Sequence, residues 1–339
     1  MAHEITSTDN MLSVREMPWH GLGEVWDHHP TRREAQIAVH NWEPIERPVF
    51  VQEPTIHLDG TISSDFAEVP DVKAIQRSDN GDTLGVVGNT LGLITNEQMW
   101  DVVEAVGNIG SDIKIETAGS LDAGRKVWAL LRMTEPLQIK GDPNGATVAY
   151  LAFQNGHVGN GAFRAQAINT RIVCANTSAA ADVESKKNGY EFTFRHTSKV
   201  GDRLEEAKAA VSMWREGVDV WQHAMEHLVT VKVTDEGREE FVRRFQPMPP
   251  RHLISDRVAN NVETARDQLR AILASQTGEG IHNTAFGLAQ AGIEWAHHVR
   301  GTKGRDDRSR MESRFKRAML TTDSFGREVI ELAKVAATV

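Results

Sequence analysis

From Leu204 to Leu228, the apolar residues Leu204, Ala207, Val211, Trp214, Val218, Trp221, Met225 and Leu228 recur at alternating steps of three and four. An α-helix gathers residues so spaced into one stripe, because those steps bracket its turn of about 3.6 residues. The spacing predicts a long helix over about 202–230, with Asp202 as its N-cap. An apolar seam this regular needs a partner, either later helices of the same chain or a second subunit. Helical patterns continue near 236–245, 255–274, 283–298, 308–320 and 324–335, and Pro247, Pro249 and Pro250 interrupt them after Phe245. The chain from 201 to 339 therefore reads as a helical region.

Upstream the period is different. Thr31 and Glu34 have capping-box spacing at the start of a short helix near 31–41, and Met99, Trp100, Val103 and Val106 share one face of a second helix over 96–106. Pro44, Pro48 and Pro54 limit the segment from Trp42 to edge or extended structure. Asp79-Asn80-Gly81-Asp82 is a hairpin turn leading into Leu84–Val87. Extended runs at 113–118, 126–132, 146–154 and 163–174 are separated by turn sequences. A helix followed by a meander of strands predicts an α+β domain over 1–200, with an antiparallel sheet and a helix over one face.

Composition narrows the class of protein. The chain has 339 residues, a formal charge of −9, and one cysteine, Cys174. That excludes an intramolecular disulfide and a zinc site built on several thiolates. No apolar run approaches the roughly 18–20 residues that span a bilayer, and the N-terminus lacks signal-peptide features, so the expectation is a cytoplasmic protein without membrane contact. The acidic total argues against a uniformly basic nucleic-acid binder but leaves local patches open.

His223 and His227 stand in an H-x-x-E-H pattern, whose helical spacing permits a shared zinc ion. The heptad register instead sets them opposite the seam, as exposed histidines, and no third ligand is evident. Cys174 with His157 is a conceivable nucleophile–base pair, although a cysteine between Val173 and Ala175 also fits a buried small hydrophobe. The glycine-rich Asn155–Gly161 segment lacks the Walker ending and reads as a hairpin loop or a phosphate nest. Arg125, Lys126 and Arg132, with Arg164 and Arg171 on later strands, can assemble a cationic strip on a sheet. A second basic cluster runs from Arg300 to Arg317. No cofactor is implied.

Several motifs occur in order: Met17-Pro18-Trp19-His20-Gly21-Leu22-Gly23, Leu84-Gly85-Val86-Val87-Gly88, Thr95-Asn96-Glu97, Glu116-Thr117-Ala118-Gly119-Ser120, Gly124-Arg125-Lys126-Val127-Trp128-Ala129 and Arg171-Ile172-Val173-Cys174-Ala175-Asn176-Thr177. Together they resemble a phage- and plasmid-associated family built on a domain of unknown function (number 932). The resemblance implies a protein of phages, plasmids or bacterial hosts. In architecture the chain is more distantly similar to single-strand annealing proteins of the Rad-fifty-two superfamily. That similarity implies a non-enzymatic oligomer holding single-stranded DNA, with Arg125, Lys126, Arg132, Arg164 and Arg171 on phosphates and Trp128 stacking or packing. Two other classes stay open. One is a hydrolase using Cys174 with His157, or a metal at His223 and His227. The other is a host-interaction or structural protein that binds through the 204–228 seam.

Overall fold

The computed structural model describes residues 10–14, 24–60, 62–158, 163–171, 176–179, 191–193, 200–301 and 325–339. Cys174, the whole Met17–Gly23 motif, the expected helix at 308–320 and the cations from Lys303 to Arg317 lie outside these residues.

The chain is α+β. Its larger sheet contains β1 (Met11–Val14), β2 (Glu24–Trp26), β6 (Ile113–Leu121), β7 (Lys126–Met133), β8 (Leu137–Gln138), β9 (Ala146–Gly156), β10 (Arg164–Arg171), β11 (Asn176–Ala179) and β12 (Glu191–Thr193). The strand order is β11-β10-β9-β7-β6-β1-β2, with β8 on β9 and β12 on β10. The expected meander is its centre, running β6-β7-β9-β10-β11. All of its pairings are antiparallel except β1 with β2. A smaller sheet has the order β3 (Pro44–Ile56), β4 (Ile62–Arg77), β5 (Thr83–Gly88). Pro44, Pro48 and Pro54 all lie in β3, an edge strand, where a missing amide costs least.

Among the described residues are seven α-helices: α1 (Arg32–Val39), α2 (Asn96–Gly107), α3 (Val200–Thr230), α4 (Asp235–Phe245), α5 (Asp256–Leu273), α6 (Ala285–Glu294) and α7 (Phe325–Ala336). The capping box of α1 forms as expected, the Thr31 side chain accepting from the Glu34 amide and the Glu34 carboxylate from the Thr31 amide. Thr95 and Gln98 build a second one on α2. Helix α3 begins at Val200, which corrects the expected N-cap: Asp202 lies inside the helix.

Val211, Trp214, Val218, Trp221, Met225 and Leu228 are all buried within this one chain. Trp214 and Trp221 are 0% and 1% exposed. Burying one side chain of that size contributes on the order of 3 kcal/mol. The seam packs on α2, α6 and β10, so its partner is intramolecular over these positions. One apolar cluster joins residues such as Leu12, Trp100 and Phe153 to Trp214, Phe286 and Ile330, running across residue 200.

The central strands are buried on both faces. Val127, Ala129 and Leu131 face the main core, whereas Trp128 and Leu130 join Met11, Leu121, Ala152 and Ile168 in a smaller cluster on the opposite face. No helix among the described residues is long and apolar enough to cross a membrane.

Candidate nucleic-acid interface

The β6–β7 connection is strained. Asp122, Ala123 and Gly124 have φ of 56°, 58° and 90°, a left-handed run costly for residues with a Cβ. The turn closes by a 3.1 Å bond from the Arg125 amide to the Asp122 carbonyl. It rests on a platform made by the smaller sheet. Arg77, 4% exposed, donates to both carboxylate oxygens of Asp79 at 3.0 and 2.8 Å and to the Ala123 carbonyl at 3.3 Å. Its guanidinium stands 4.3 Å from the centre of the Trp42 ring, an attractive cation–π arrangement. Arg77 also holds the Asp79 carboxyl below the usual carboxylate range, chiefly by hydrogen bonding.

Three of the five sequence-derived cations lie at the turn end of the sheet. Arg125 donates from Nε to the Leu84 carbonyl at 2.5 Å and pairs with Asp122 at 3.6 Å, leaving its side chain 47% exposed. The next residue, Lys126, is exposed and opposes Gly156 across the β7–β9 ladder. Arg164 opposes Gln154, which opposes Trp128, so it lies two strands from β7 at the same end of the sheet. Two strand spacings are about 10 Å. The Arg125 carbonyl accepts from the His157 amide at 2.9 Å, tying the turn to the end of β9.

The other two are elsewhere. Arg132 pairs with Glu116 at 3.1 Å, both side chains mostly buried, and Glu116 also has His29 at 3.4 Å. Its charge is spent inside the sheet. Arg171 ends β10 opposite Thr147 and Asn176, seven residues from Arg164 or about 23 Å along the strand. The five positions therefore divide between the two ends of the strands, with Arg125, Lys126 and Arg164 at one end and Arg132 and Arg171 toward the other. Trp128 is 1% exposed and packs in the smaller cluster rather than offering a stacking face.

Beneath the turn lie two buried histidines, His40 and His157, each 0% exposed. The ring of His157 meets Trp42 edge-on at 5.5 Å. Burial pushes His157 down to about 3, with His40 adding to the effect. That is far below the range of a general base working near neutrality. Its proposed partner Cys174 lies outside the described residues. His223 and His227 are exposed, as the heptad register predicts, and His223 Nδ1 lies 2.7 Å from the Asp219 carbonyl oxygen. Among the described residues no group of three His, Cys, Asp or Glu side chains stands ready for a metal ion.

Sequence reasoning missed Trp42 and Arg77, which support the turn, and His40, whose Nε2 lies 2.8 Å from the Gly119 carbonyl oxygen on β6. Arg77 stands two residues before the Asp79–Asp82 hairpin turn, so the turn sequence marked the place without revealing the stacking. Chemically the site offers two exposed cations and a half-buried one beside a fixed backbone turn, a set suited to holding phosphate and short of acid–base groups.

Residues 83–319 match the family described as Domain of unknown function (DUF932). No curated protein and no solved structure matches the chain.

Proposed function

The chain belongs to the DUF932 family, and we propose that it is a single-stranded DNA-binding protein of a phage or plasmid that promotes strand annealing in the bacterial cytoplasm. The observation that carries this reading is the gathering of Arg125, Lys126 and Arg164 at one end of the sheet, next to a turn clamped by Arg77. Phosphate contacts need cations held at fixed spacing on a rigid frame, and β7, β9 and β10 supply one. The phage and plasmid setting comes from the sequence resemblance. The net charge of −9 confines DNA to a local patch and keeps the rest of the surface repulsive to it.

The test is fluorescence anisotropy of a labelled single strand at several salt concentrations, followed by an annealing assay with complementary oligonucleotides. Binding should weaken steeply with salt, and the log–log slope should fall by about 0.7 for each phosphate contact removed. Lys126→Ala is the cleanest variant, because that side chain is exposed. Absence of binding at low salt, or a slope unmoved by Lys126→Ala with Arg164→Ala, would overturn the reading.

A further inference from the structure

The outer half of the β3–β4 hairpin is a two-stranded arm. Among the described residues, Phe50–Ile56 pair only with Ile62–Glu68, while β5 pairs only with Val72–Gln76 at the root. A register shift between Pro48 and Phe50, opposite the left-handed Asp71 (φ 62°), separates arm from root. Seven residues of strand reach about 20 Å beyond it. The cross-strand register sets Phe50, Pro54, Ile62 and Phe66 on one face, with Gln52 and Ser64 between them. The other face carries Glu53 directly opposite Asp65, two carboxylates whose repulsion keeps that side in water. The apolar face is bare: Phe50 is 51%, Ile62 69% and Phe66 70% exposed, and Leu58 at the tip is fully exposed. Two strands alone are marginal in water, so an arm of this kind gains from a cover on its apolar side.

The best cover within reach is another arm. Of the thirteen large hydrophobics exposed among the described residues, five belong to the arm, and elsewhere in the sequence they stand singly or in pairs. The surface of this chain that matches the arm face in length and polarity is therefore the same face of a second copy. Charge permits the contact, because Glu53 and Asp65 turn away from it. Glu68, opposite Phe50 at the root, is the charge on the apolar side, and it sets the direction. Arms laid parallel would bring two Glu68 carboxylates together. Arms laid antiparallel with full overlap centre on the level of the Glu53–Asp65 pair, three residues from Glu68. The two carboxylates then stay about 20 Å apart, beyond a Debye length of about 8 Å.

We propose that two copies of this chain clasp arm to arm, their apolar faces stacked and their strands antiparallel about a twofold axis. The same surface serves both copies, so the contact closes as a dimer and does not propagate. Covering Phe50, Pro54, Leu58, Ile62 and Phe66 on both arms would remove about 1,100 Å² from water, just above the roughly 1,000 Å² that a specific interface needs. Association is therefore concentration-dependent, in the micromolar range. The clasp goes beyond the DNA-binding reading and is measured without nucleic acid, so either can fail alone.

The experiment is sedimentation of the full-length protein across roughly 1–100 μM, with no nucleic acid. Wild type should pass from monomer to dimer over that range. Phe66→Asp should weaken the dimer at least about tenfold, because an aromatic at the centre of the contact becomes a buried charge. Its melting temperature, taken at the dilute end, should not change, since the Phe66 side chain is 70% exposed in one copy. Thr55→Asp, on the acidic face, should leave the dimer as it is. Direction is read by cross-linking in a Cys174→Ser background. A bismaleimide spanning about 10 Å, the spacing of stacked sheets, should link Ser64→Cys and fail with Glu68→Cys. A wild type that stays monomeric throughout would overturn the proposal. So would a dimer indifferent to Phe66→Asp, or one linked through Glu68→Cys as well as through Ser64→Cys.

Discussion

The indole Nε1 of Trp100 donates to Nδ1 of His40 at 3.1 Å, and His40 Nε2 lies 2.8 Å from the Gly119 carbonyl oxygen. An indole nitrogen only donates, so Nδ1 accepts and the ring proton sits on Nε2. Protonating Nδ1 would set two N–H groups against each other. Burial pushes His40 down to about 4, with the Gly119 carbonyl opposing and Arg77 assisting, and pushes His157 down to about 3.

Unfolded histidines take up protons near pH 6.5, whereas the folded ones remain neutral until about 4 and about 3. Stability is therefore full above pH 6.5 and falls as the pH drops, by about 1.4 kcal/mol per unit for each ring. Glu43, whose carboxyl burial raises, acts in the opposite sense, and it is common to wild type and a His40 variant, so the difference between the two isolates the ring. Urea unfolding should show the loss in wild type and a shallower one in His40→Gln. Parallel curves would remove the assignment.

Glu43 anchors the start of α2 from outside the helix. Its carboxylate accepts from the Asn96 and Glu97 amides at 2.7 and 2.9 Å, where an anion also meets the positive end of the helix dipole. Glu43→Ala should destabilise the protein by about 2 kcal/mol, since it strips a charged acceptor from two first-turn amides. Glu43→Gln should fall between, because its amide group retains one acceptor oxygen. Denaturant midpoints measure both.

Where a local rule decides the structure, the residues could be read directly. Thr31 with Glu34, the seam from Val211 to Leu228, and the Asp79–Asp82 turn each act within a few residues, and each appears as expected. The arm was not legible as an arm. Its prolines pointed to an edge strand, but Phe50 and Phe66 look like core residues until the third strand is seen to stop at the root. The pairing of Arg132 was hidden for a related reason. Alternation along β7 predicts a surface position for Arg132, whereas Glu116 on β6 captures it, and only the register of two distant strands reveals that. The platform under the β6–β7 turn joins residues 35 or more positions apart, Trp42 with Arg77 and Ala123, which no spacing encodes.

Gly124 is the position least able to accept a side chain near the site. Its φ is 90°, and a Cβ there would lie 2.7 Å from Cζ2 of Trp42, a ring held in place by the Arg77 guanidinium. Gly124→Ala should cost about 2 kcal/mol or more, from left-handed strain together with displacement of the indole. Thermal unfolding measures the loss. A variant as stable as wild type would mean that the turn relaxes freely and does not hold Arg125 in place.

Lys126 and Arg132 lie on the same strand six residues apart and should respond oppositely to truncation. Lys126 is exposed, so Lys126→Ala should leave stability within about 0.5 kcal/mol of wild type. On the DNA-binding proposal it should also lower the salt slope by about 0.7. Arg132 is 17% exposed against a Glu116 that is 15% exposed, so Arg132→Ala takes the guanidinium from a mostly buried carboxylate and leaves it His29 at 3.4 Å. That should cost about 2–3 kcal/mol and leave the salt slope unchanged. Measuring both variants by urea unfolding and by anisotropy gives a crossed pattern. If Arg132→Ala weakens DNA binding while the fold keeps its stability, the strand's far end touches DNA, and the patch is not confined to the Arg125 turn.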